Sequence, residues 1–141
     1  MKNSFKLIIT LFAISIFTFS CLDDNDNENY VRNLKGIAID SVKIPQDTMS
    51  VYTTQTIQTY TTYPTPCEGF YDYDYVIDGN YRYVTTIAYQ TEGNCSAQTY
   101  VGRNMFNFRP LNTGTFTFKF WNGTDSQGND LYITKQIVVE Q

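Results

Sequence analysis

Asp72 and Asp74 are the residues of this chain whose type and spacing most directly suggest chemistry. They are one residue apart in an alternating segment, so their side chains would leave the same face of a strand, roughly 7 Å apart. Paired carboxylates can hydrolyse glycosidic bonds at separations of about 5 to 9 Å. Same-strand neighbours also form ordinary solvated faces, and no second element of a catalytic site accompanies this pair. A hydrolase using Asp72 and Asp74 is therefore the weakest of our functional hypotheses.

Histidine is absent from the 141 residues, which removes the commonest general base and the commonest metal ligand. Nucleophile pairs of the Ser-His and Cys-His type are excluded with it. Cysteines are present at three positions, Cys21, Cys67 and Cys95. Two of them without a histidine are too few for a zinc site, and a reactive thiol would have no base beside it. We therefore predict no catalytic residue, no metal and no cofactor, and a chain that is not an enzyme.

Cys67 and Cys95 form the pair that an exported chain would oxidise to a disulfide. The bond would close a loop of about 29 residues, worth about 3.5 kcal/mol through the entropy of the unfolded chain. Two alternating segments, 70–77 and 81–89, lie inside that loop around an Asp-Gly-Asn turn signal. We expect the bond to join the open end of this hairpin.

Residues 1–20 have the order of a signal peptide. Lys2 and Lys6 precede an apolar stretch of about 13 residues, 7–19, and an abrupt polar boundary follows. That stretch would make roughly 20 Å of helix, which is short of the roughly 30 Å hydrocarbon core of a bilayer. The pattern predicts a cleaved export signal.

The tetrapeptide Thr18-Phe19-Ser20-Cys21 resembles a bacterial lipobox, with Ser20 before the cysteine. Thr18 and Phe19 depart from the usual Leu and small residue at the first two positions. The resemblance implies that Cys21 receives lipid and becomes the new N-terminus. Several acyl chains on one cysteine would anchor the protein stably in a membrane, because each buried CH₂ contributes about 0.8 kcal/mol.

An acidic run follows Cys21, with four acids between residues 23 and 28. Such a segment cannot bury apolar surface, so we interpret residues 21–33 as a disordered tether that carries the lipidated cysteine. A calcium loop is the alternative, but the glycine and the closing acid that it needs are missing. Acids directly after the cysteine resemble the export signal of Bacteroidota lipoproteins. That resemblance implies an outer-membrane location with the domain facing the cell exterior.

Two short stretches, Asp40-Ser41-Val42 and Asp47-Thr48-Met49, also resemble the O-glycosylation motif of that phylum. That resemblance makes O-glycosylation of the two stretches a hypothesis about modification.

The rest of the chain, 34–141, predicts one all-β domain. Aromatic residues make up 16% of the sequence, and period-two alternation with turn signals replaces any helical periodicity. We predict about seven strands in a single antiparallel β-sandwich, within residues 34–44, 50–63, 70–77, 81–89, 98–109, 115–121 and 131–140. In the third of these, Tyr71, Tyr73 and Tyr75 would face inward.

The segment from Pro110 through Gly114 to Phe118, with the closing run Ile137-Val138-Val139, resembles late strands of bacterial immunoglobulin-like domains. Phe116 replaces the tyrosine of a tyrosine corner, and Trp121 follows both later cysteines, so the antibody order of Cys, Trp and Cys is absent. The chain as a whole resembles a small surface lipoprotein of flavobacterial type with an Ig-like domain, a family whose function is uncharacterised.

The function predicted from these features is a membrane-anchored, non-catalytic binding or structural module. The formal net charge is -4 and no cluster of basic residues is present to bind phosphates, so we predict no nucleic-acid partner. Eight of the 12 tyrosines fall between residues 60 and 89. Tyr71, Tyr73 and Tyr75 with Trp121 could bind a protein or stack on sugar rings, which makes a glycan-binding accessory protein the main alternative. The same tyrosines could also be mere strand formers.

Overall fold

The structure, a computed structural model, describes residues 32–141. The predicted signal segment, Cys21 and the tether up to residue 31 lie outside the described residues. The described part contains nine strands and no helix. They are β1 (Arg32–Ile37), β2 (Ser41–Lys43), β3 (Thr48–Ser50), β4 (Gln55–Tyr63), β5 (Glu68–Asp78), β6 (Tyr81–Gln90), β7 (Tyr100–Phe108), β8 (Gly114–Thr124) and β9 (Asp130–Glu140).

The strands form two sheets that pack over a shared core. The smaller sheet has the order β2-β4-β7, and the larger has the order β1-β6-β8-β9-β3 with β5 added on β6. β6 therefore carries β5 along one side, and β8 and then β1 along the other. The predicted all-β Ig-like sandwich is confirmed, with nine strands in place of about seven.

Two strand pairs, β3 with β9 and β6 with β8, are parallel, whereas a wholly antiparallel sandwich was predicted. Alternation along a strand reports which faces are buried, and it does not report which strand lies beside it. The predicted strand 34–44 is divided into β1 and β2 because the chain crosses between the sheets there. At the crossing the amide of Ile39 donates to Trp121 O, and the amide of Asp40 donates to Tyr60 O on the opposite sheet.

The core has an apolar half and a hydroxyl-bearing half. In the apolar half the rings of Phe116, Phe118 and Phe120 project from β8 and meet Phe106 and Phe108 of β7. In the other half, nearer the disulfide, three fully buried threonines lie between the sheets: Thr59, Thr61 and Thr86. Buried hydroxyls need partners. Thr59 and Tyr73 therefore share a hydrogen bond of 2.6 Å between their oxygens.

The predicted hairpin and its disulfide are both confirmed. β5 and β6 pair along their lengths around a two-residue turn, Gly79-Asn80, in which Gly79 has a φ of 55°. At the open end Cys67 and Cys95 are bonded, with Cα atoms 5.7 Å apart. The amide of Thr91 donates to Cys67 O and continues the pairing past the end of the strands.

A β-bulge interrupts β5 between Phe70 and Asp72. The extra residue is Tyr71, which is 53% exposed, so the prediction that it faces inward is wrong. A bulge shifts the alternation by one residue, which pattern reading across residues 70–77 could not detect. Tyr73 and Tyr75, beyond the bulge, face inward as predicted.

Candidate ligand-binding site

The outer surface of the larger sheet gathers aromatic side chains from three neighbouring strands. Tyr81 and Tyr83 come from β6, Trp121 from β8 and Tyr132 from β9. Tyr83 and Trp121 are each next to a fully buried residue of their own strand, Val84 and Phe120, so their rings are turned to the outside. The register and ring contacts place Tyr81 and Tyr132 on the same side. Lys119 of β8 lies among them, and we call these five residues the aromatic face.

The register of the sheet brings the five side chains together. Tyr83 lies opposite Lys119 in the parallel β6–β8 pair, and Trp121 lies opposite Tyr132 in the antiparallel β8–β9 pair. The Tyr81 and Tyr83 ring centroids are 6.4 Å apart with nearly parallel planes, and Tyr132 meets Tyr83 edge-on at 6.0 Å. Tyr81 is 45% exposed, so part of this surface is open to a ligand.

Lys119 holds its ammonium group over three tyrosine rings at once. Its Nζ lies 5.6 Å from the Tyr81 ring centroid, 5.5 Å from that of Tyr83 and 5.7 Å from that of Tyr132. These distances are within the range of cation–π attraction. The face therefore combines electron-rich ring surfaces with a hydrogen-bond donor that can turn toward a ligand.

Asp130, at the start of β9, fixes the edge of the aromatic face. Its Oδ1 accepts the indole N–H of Trp121 at 2.8 Å, and its Oδ2 lies 3.5 Å from the Tyr132 hydroxyl. Partial burial and the Asp130 carboxylate raise the pKa of Tyr132, so this phenol stays protonated and can donate. Tyr132 thus has the Asp130 carboxylate at its hydroxyl and the Lys119 ammonium group over its ring.

The loop that leads to Asp130 is ordered by another carboxylate. Asp125 accepts hydrogen bonds from the amides of Gln127 and Asn129 and from the Asn129 side chain, at 2.8, 2.9 and 3.0 Å. Hydrogen bonds from Asn129 and Gln127 lower the pKa of Asp125. The loop between β8 and β9 therefore holds its shape through its own polar groups, which positions Asp130.

Tyr71, Tyr73 and Tyr75 do not form one surface with Trp121, as the ligand-binding hypothesis required. Tyr71 lies at the β5 bulge. Tyr73 and Tyr75 point between the sheets and line a groove of about 550 Å³ between β5 and β7, the β5–β7 groove. Burial raises the pKa of Tyr73 to about 12, although its bond to Thr59 opposes that shift. Trp121 alone of the four belongs to the aromatic face.

Asp72 and Asp74 leave the outer side of β5 and are exposed to solvent. Their register partners on β6 are Ile87 and Thr85. Asp72 Oδ1 accepts the amide N–H of Tyr73 at 2.8 Å, which is a structural use of the carboxylate.

Within residues 32–141, no group of three or more acidic, cysteine or histidine side chains could hold a metal ion. No helix in the described part of the chain is both long enough and apolar enough to cross a membrane. Ser41 and Thr48, the hydroxyl residues of the two short stretches, are exposed on β2 and β3.

A search of protein-family models, of curated proteins and of solved structures finds no match to this chain.

Sequence reasoning missed four residues of the aromatic face: Tyr81, Tyr83, Lys119 and Tyr132. Their outward direction was readable, since Tyr81 and Tyr83 alternate with Arg82 and Val84. Their proximity depends on the parallel pairing of β6 with β8, for which the sequence carries no signal.

Proposed function

We propose that this protein is a membrane-anchored, non-catalytic module that binds glycans through the aromatic face. The observation that carries the proposal is the convergence of three tyrosines and a tryptophan, with an ammonium and a carboxylate group beside them, on one exposed sheet surface. The C–H groups of a sugar ring are weakly positive, so they pack on the electron-rich faces of aromatic rings. Lys119 and Asp130 can then donate to and accept from the sugar hydroxyls.

The non-catalytic part of the proposal is supported by where the chain's carboxylates lie relative to this surface and to one another. Asp72 and Asp74 lie on β5, the outermost strand of the larger sheet, and Asp72 is engaged by its neighbouring amide. Asp78 of β5 lies opposite Tyr81, and Asp130 of β9 already accepts from Trp121. Two strands, β6 and β8, separate these two carboxylates, which is about 14 Å at the usual strand spacing. Glycoside hydrolysis needs two carboxyl groups on opposite sides of one bond.

Anchoring through Cys21 is supported by the cysteine pairing. Because Cys67 and Cys95 are bonded to each other, Cys21 is left without a thiol partner in its own chain. Its place directly after the apolar stretch 7–19 and Ser20 suits lipid attachment, as the lipobox resemblance implies. We place the protein in the outer membrane, facing the cell exterior.

Binding can be tested with soluble polysaccharides, using affinity electrophoresis followed by titration calorimetry. The full chain in mild detergent would be run against dextran, laminarin, galactomannan and polygalacturonate. We expect retention on at least one gel. Tyr81→Ala and Tyr132→Ala should each weaken the calorimetric affinity about tenfold, because each removes an exposed ring from the surface.

Tyr71→Ala is the matched control, since Tyr71 is also an exposed tyrosine on the same sheet but lies outside the aromatic face. It should leave the affinity within a factor of two. Equal losses in all three variants, or retention on no polysaccharide, would contradict glycan binding by this surface. The anchor is tested separately by palmitate labelling in a bacterial host, where Cys21→Ala should abolish the label.

A further inference from the structure

β5 is an uncapped edge of the larger sheet over a length of 11 residues. It pairs with β6 on one side, and no described strand pairs with its other side. Natural sheets usually shorten, cover or charge such an edge, because its unpaired backbone groups can accept another strand. The backbone groups, side chains and charges along this edge therefore indicate which kind of strand could pair with it.

The two-residue turn determines which backbone groups face outward. In such a hairpin Asp78 and Tyr81 form the closing hydrogen-bonded pair, and bonded pairs then alternate with non-bonded ones. The N–H and C=O groups of Tyr73, Tyr75 and Ile77 accordingly point away from β6. The Tyr73 amide fits this direction, because it donates to the side chain of Asp72.

The side chains of the same three residues line the β5–β7 groove. The Phe106 ring of β7 meets Tyr73 edge-on at 5.2 Å and Tyr75 at 5.6 Å. Ile77, which is 63% exposed, also lines the groove, whose rings and aliphatic side chains are flanked by the polar groups of Arg82 and Arg109. A strand added to β5 would place every second side chain into the groove, against these residues.

The outer face of β5 carries acids at three of the four alternate positions, Asp72, Asp74 and Asp78, all exposed. A second copy of this chain is disfavoured as the added strand. Antiparallel pairing about a twofold axis at Tyr73 would set Asp72 opposite Asp74, and an axis at Tyr75 would set Asp72 opposite Asp78. Like charges directly opposite each other destabilise a strand pair.

We propose that the free edge of β5 binds an extended segment of another protein in which basic and apolar residues alternate. The basic side chains lie opposite the three acids on the outer face, and the apolar side chains fill the β5–β7 groove. The backbone of the segment bonds to the outward groups of Tyr75 and Ile77. Main-chain bonds and alternate side-chain pockets are the two components of recognition by strand addition. This surface adjoins the aromatic face at Asp78, which lies opposite Tyr81, but its backbone edge and its groove belong to β5 and not to β6, β8 and β9.

The probe is an eight-residue peptide that alternates Lys and Val, blocked at both ends and labelled for fluorescence anisotropy. Two comparison peptides are a Glu-Val alternation and a block peptide of four Lys followed by four Val. With the full chain in mild detergent at 150 mM salt, the alternating basic peptide should bind at least tenfold more tightly than either comparison peptide. Amide NMR signals of Tyr75 and Ile77 should move when it binds.

Two variants test the charges and the edge separately. Asp74→Lys should weaken the Lys-Val peptide about tenfold and strengthen the Glu-Val peptide, whereas Asp47→Lys, the same charge change at an exposed position before β3, should alter both less than twofold. Ile77→Pro removes an outward N–H without breaking a bond to β6, and should weaken binding about tenfold with little change in melting temperature.

The proposal is overturned if the block peptide binds as well as the alternating one, since charge alone would then explain the affinity. It is also overturned if Ile77→Pro binds like the parent, or if Asp47→Lys and Asp74→Lys have equal effects. Failure of these experiments would leave the polysaccharide results untouched, because the variants lie off the aromatic face.

Discussion

The hydrogen bond between Thr59 and Tyr73 joins the two sheets inside the hydroxyl-bearing half of the core. The loss in the free energy of unfolding on removing this bond can be predicted. The oxygens are 2.6 Å apart, and Thr59 is fully buried. Tyr73→Phe removes one partner while it keeps the ring that packs against Phe70 and Phe106. The Thr59 hydroxyl is then left in the core without its partner.

The expected loss in the free energy of unfolding is about 2 kcal/mol. A net hydrogen bond contributes about 1 kcal/mol, and leaving a buried hydroxyl unpaired costs about 1 to 3 kcal/mol. Thr59→Val should cost a similar amount. The double variant replaces both partners with apolar groups of the same shape, which can be nearly neutral, so it should cost about 1 kcal/mol or less. Two single losses of about 2 kcal/mol against a double loss of about 1 kcal/mol give a coupling energy of about 3 kcal/mol.

Urea unfolding followed by tryptophan fluorescence measures all four proteins of this cycle. A loss of about 2 kcal/mol moves the midpoint by about 1 to 2 M at the slopes usual for a small domain. Tyr60→Phe is the control, because the Tyr60 hydroxyl bonds to Gln58 two residues away and not to the core, and it should cost less than about 0.5 kcal/mol. Additive single losses, with coupling below about 0.5 kcal/mol, would refute this account of the core.

Three further predictions follow from the geometry. The pKa of Tyr73 is about 12 in the folded protein and 10.0 in the unfolded chain, so the unfolded chain loses this proton at lower pH. Urea titrations should therefore show the free energy of unfolding falling between about pH 10 and 12, and falling less steeply in Tyr73→Phe. Cys67→Ser with Cys95→Ser should lower the free energy of unfolding by about 3.5 kcal/mol in the same titration, since the loop constraint on the unfolded chain is lost. Gly102→Ala should cost about 1 to 3 kcal/mol by thermal melting, because its Cβ would lie 2.5 Å from Cε2 of buried Tyr63.

Each of these has a control or a contradicting result. An alkaline slope that is identical with and without the Tyr73 hydroxyl would contradict the burial argument. A reduced parent protein as stable as the oxidised one would contradict the loop argument. Gly36→Ala is the matched glycine variant, since its Cβ would meet Thr85 at an acceptable 3.4 Å, and a penalty there as large as at Gly102 would show that the close contact with Tyr63 is not the cause.

The fold class, the β5–β6 hairpin and the disulfide were predictable because each depends on local pattern. Alternation from Tyr81 to Tyr89 identifies β6, and the Asp78-Gly79-Asn80 signal identifies the turn. Cys67 and Cys95 then flank the only hairpin that they could close. The bulge at Tyr71 was not predictable, because an extra residue leaves the amino-acid alternation unchanged while the backbone shifts its register.

The aromatic face was predictable only in part. The outward direction of Tyr81, Tyr83 and Trp121 follows from alternation, but their assembly around Lys119 depends on the parallel register of β6 and β8. Non-local neighbours are set by packing over the whole core, in which Phe118 and Phe120 of β8 pack between the sheets. A single sequence does not reveal those contacts.

The pairing of β1 with β6 determines how the domain would respond to mechanical force. Arg32 lies opposite Gln90, so the chain reaches the sandwich from the disulfide end, and the N-terminal strand pairs with the strand that carries Tyr81 and Tyr83. Tension between a held sugar and a membrane anchor would then pull β1 and β6 in opposite directions along their length. Their hydrogen bonds run across the strands, so they would resist in shear and fail together, not one at a time. The Cys67–Cys95 bond closes a loop that contains all of β6, so the chain inside this loop cannot be extended by that tension.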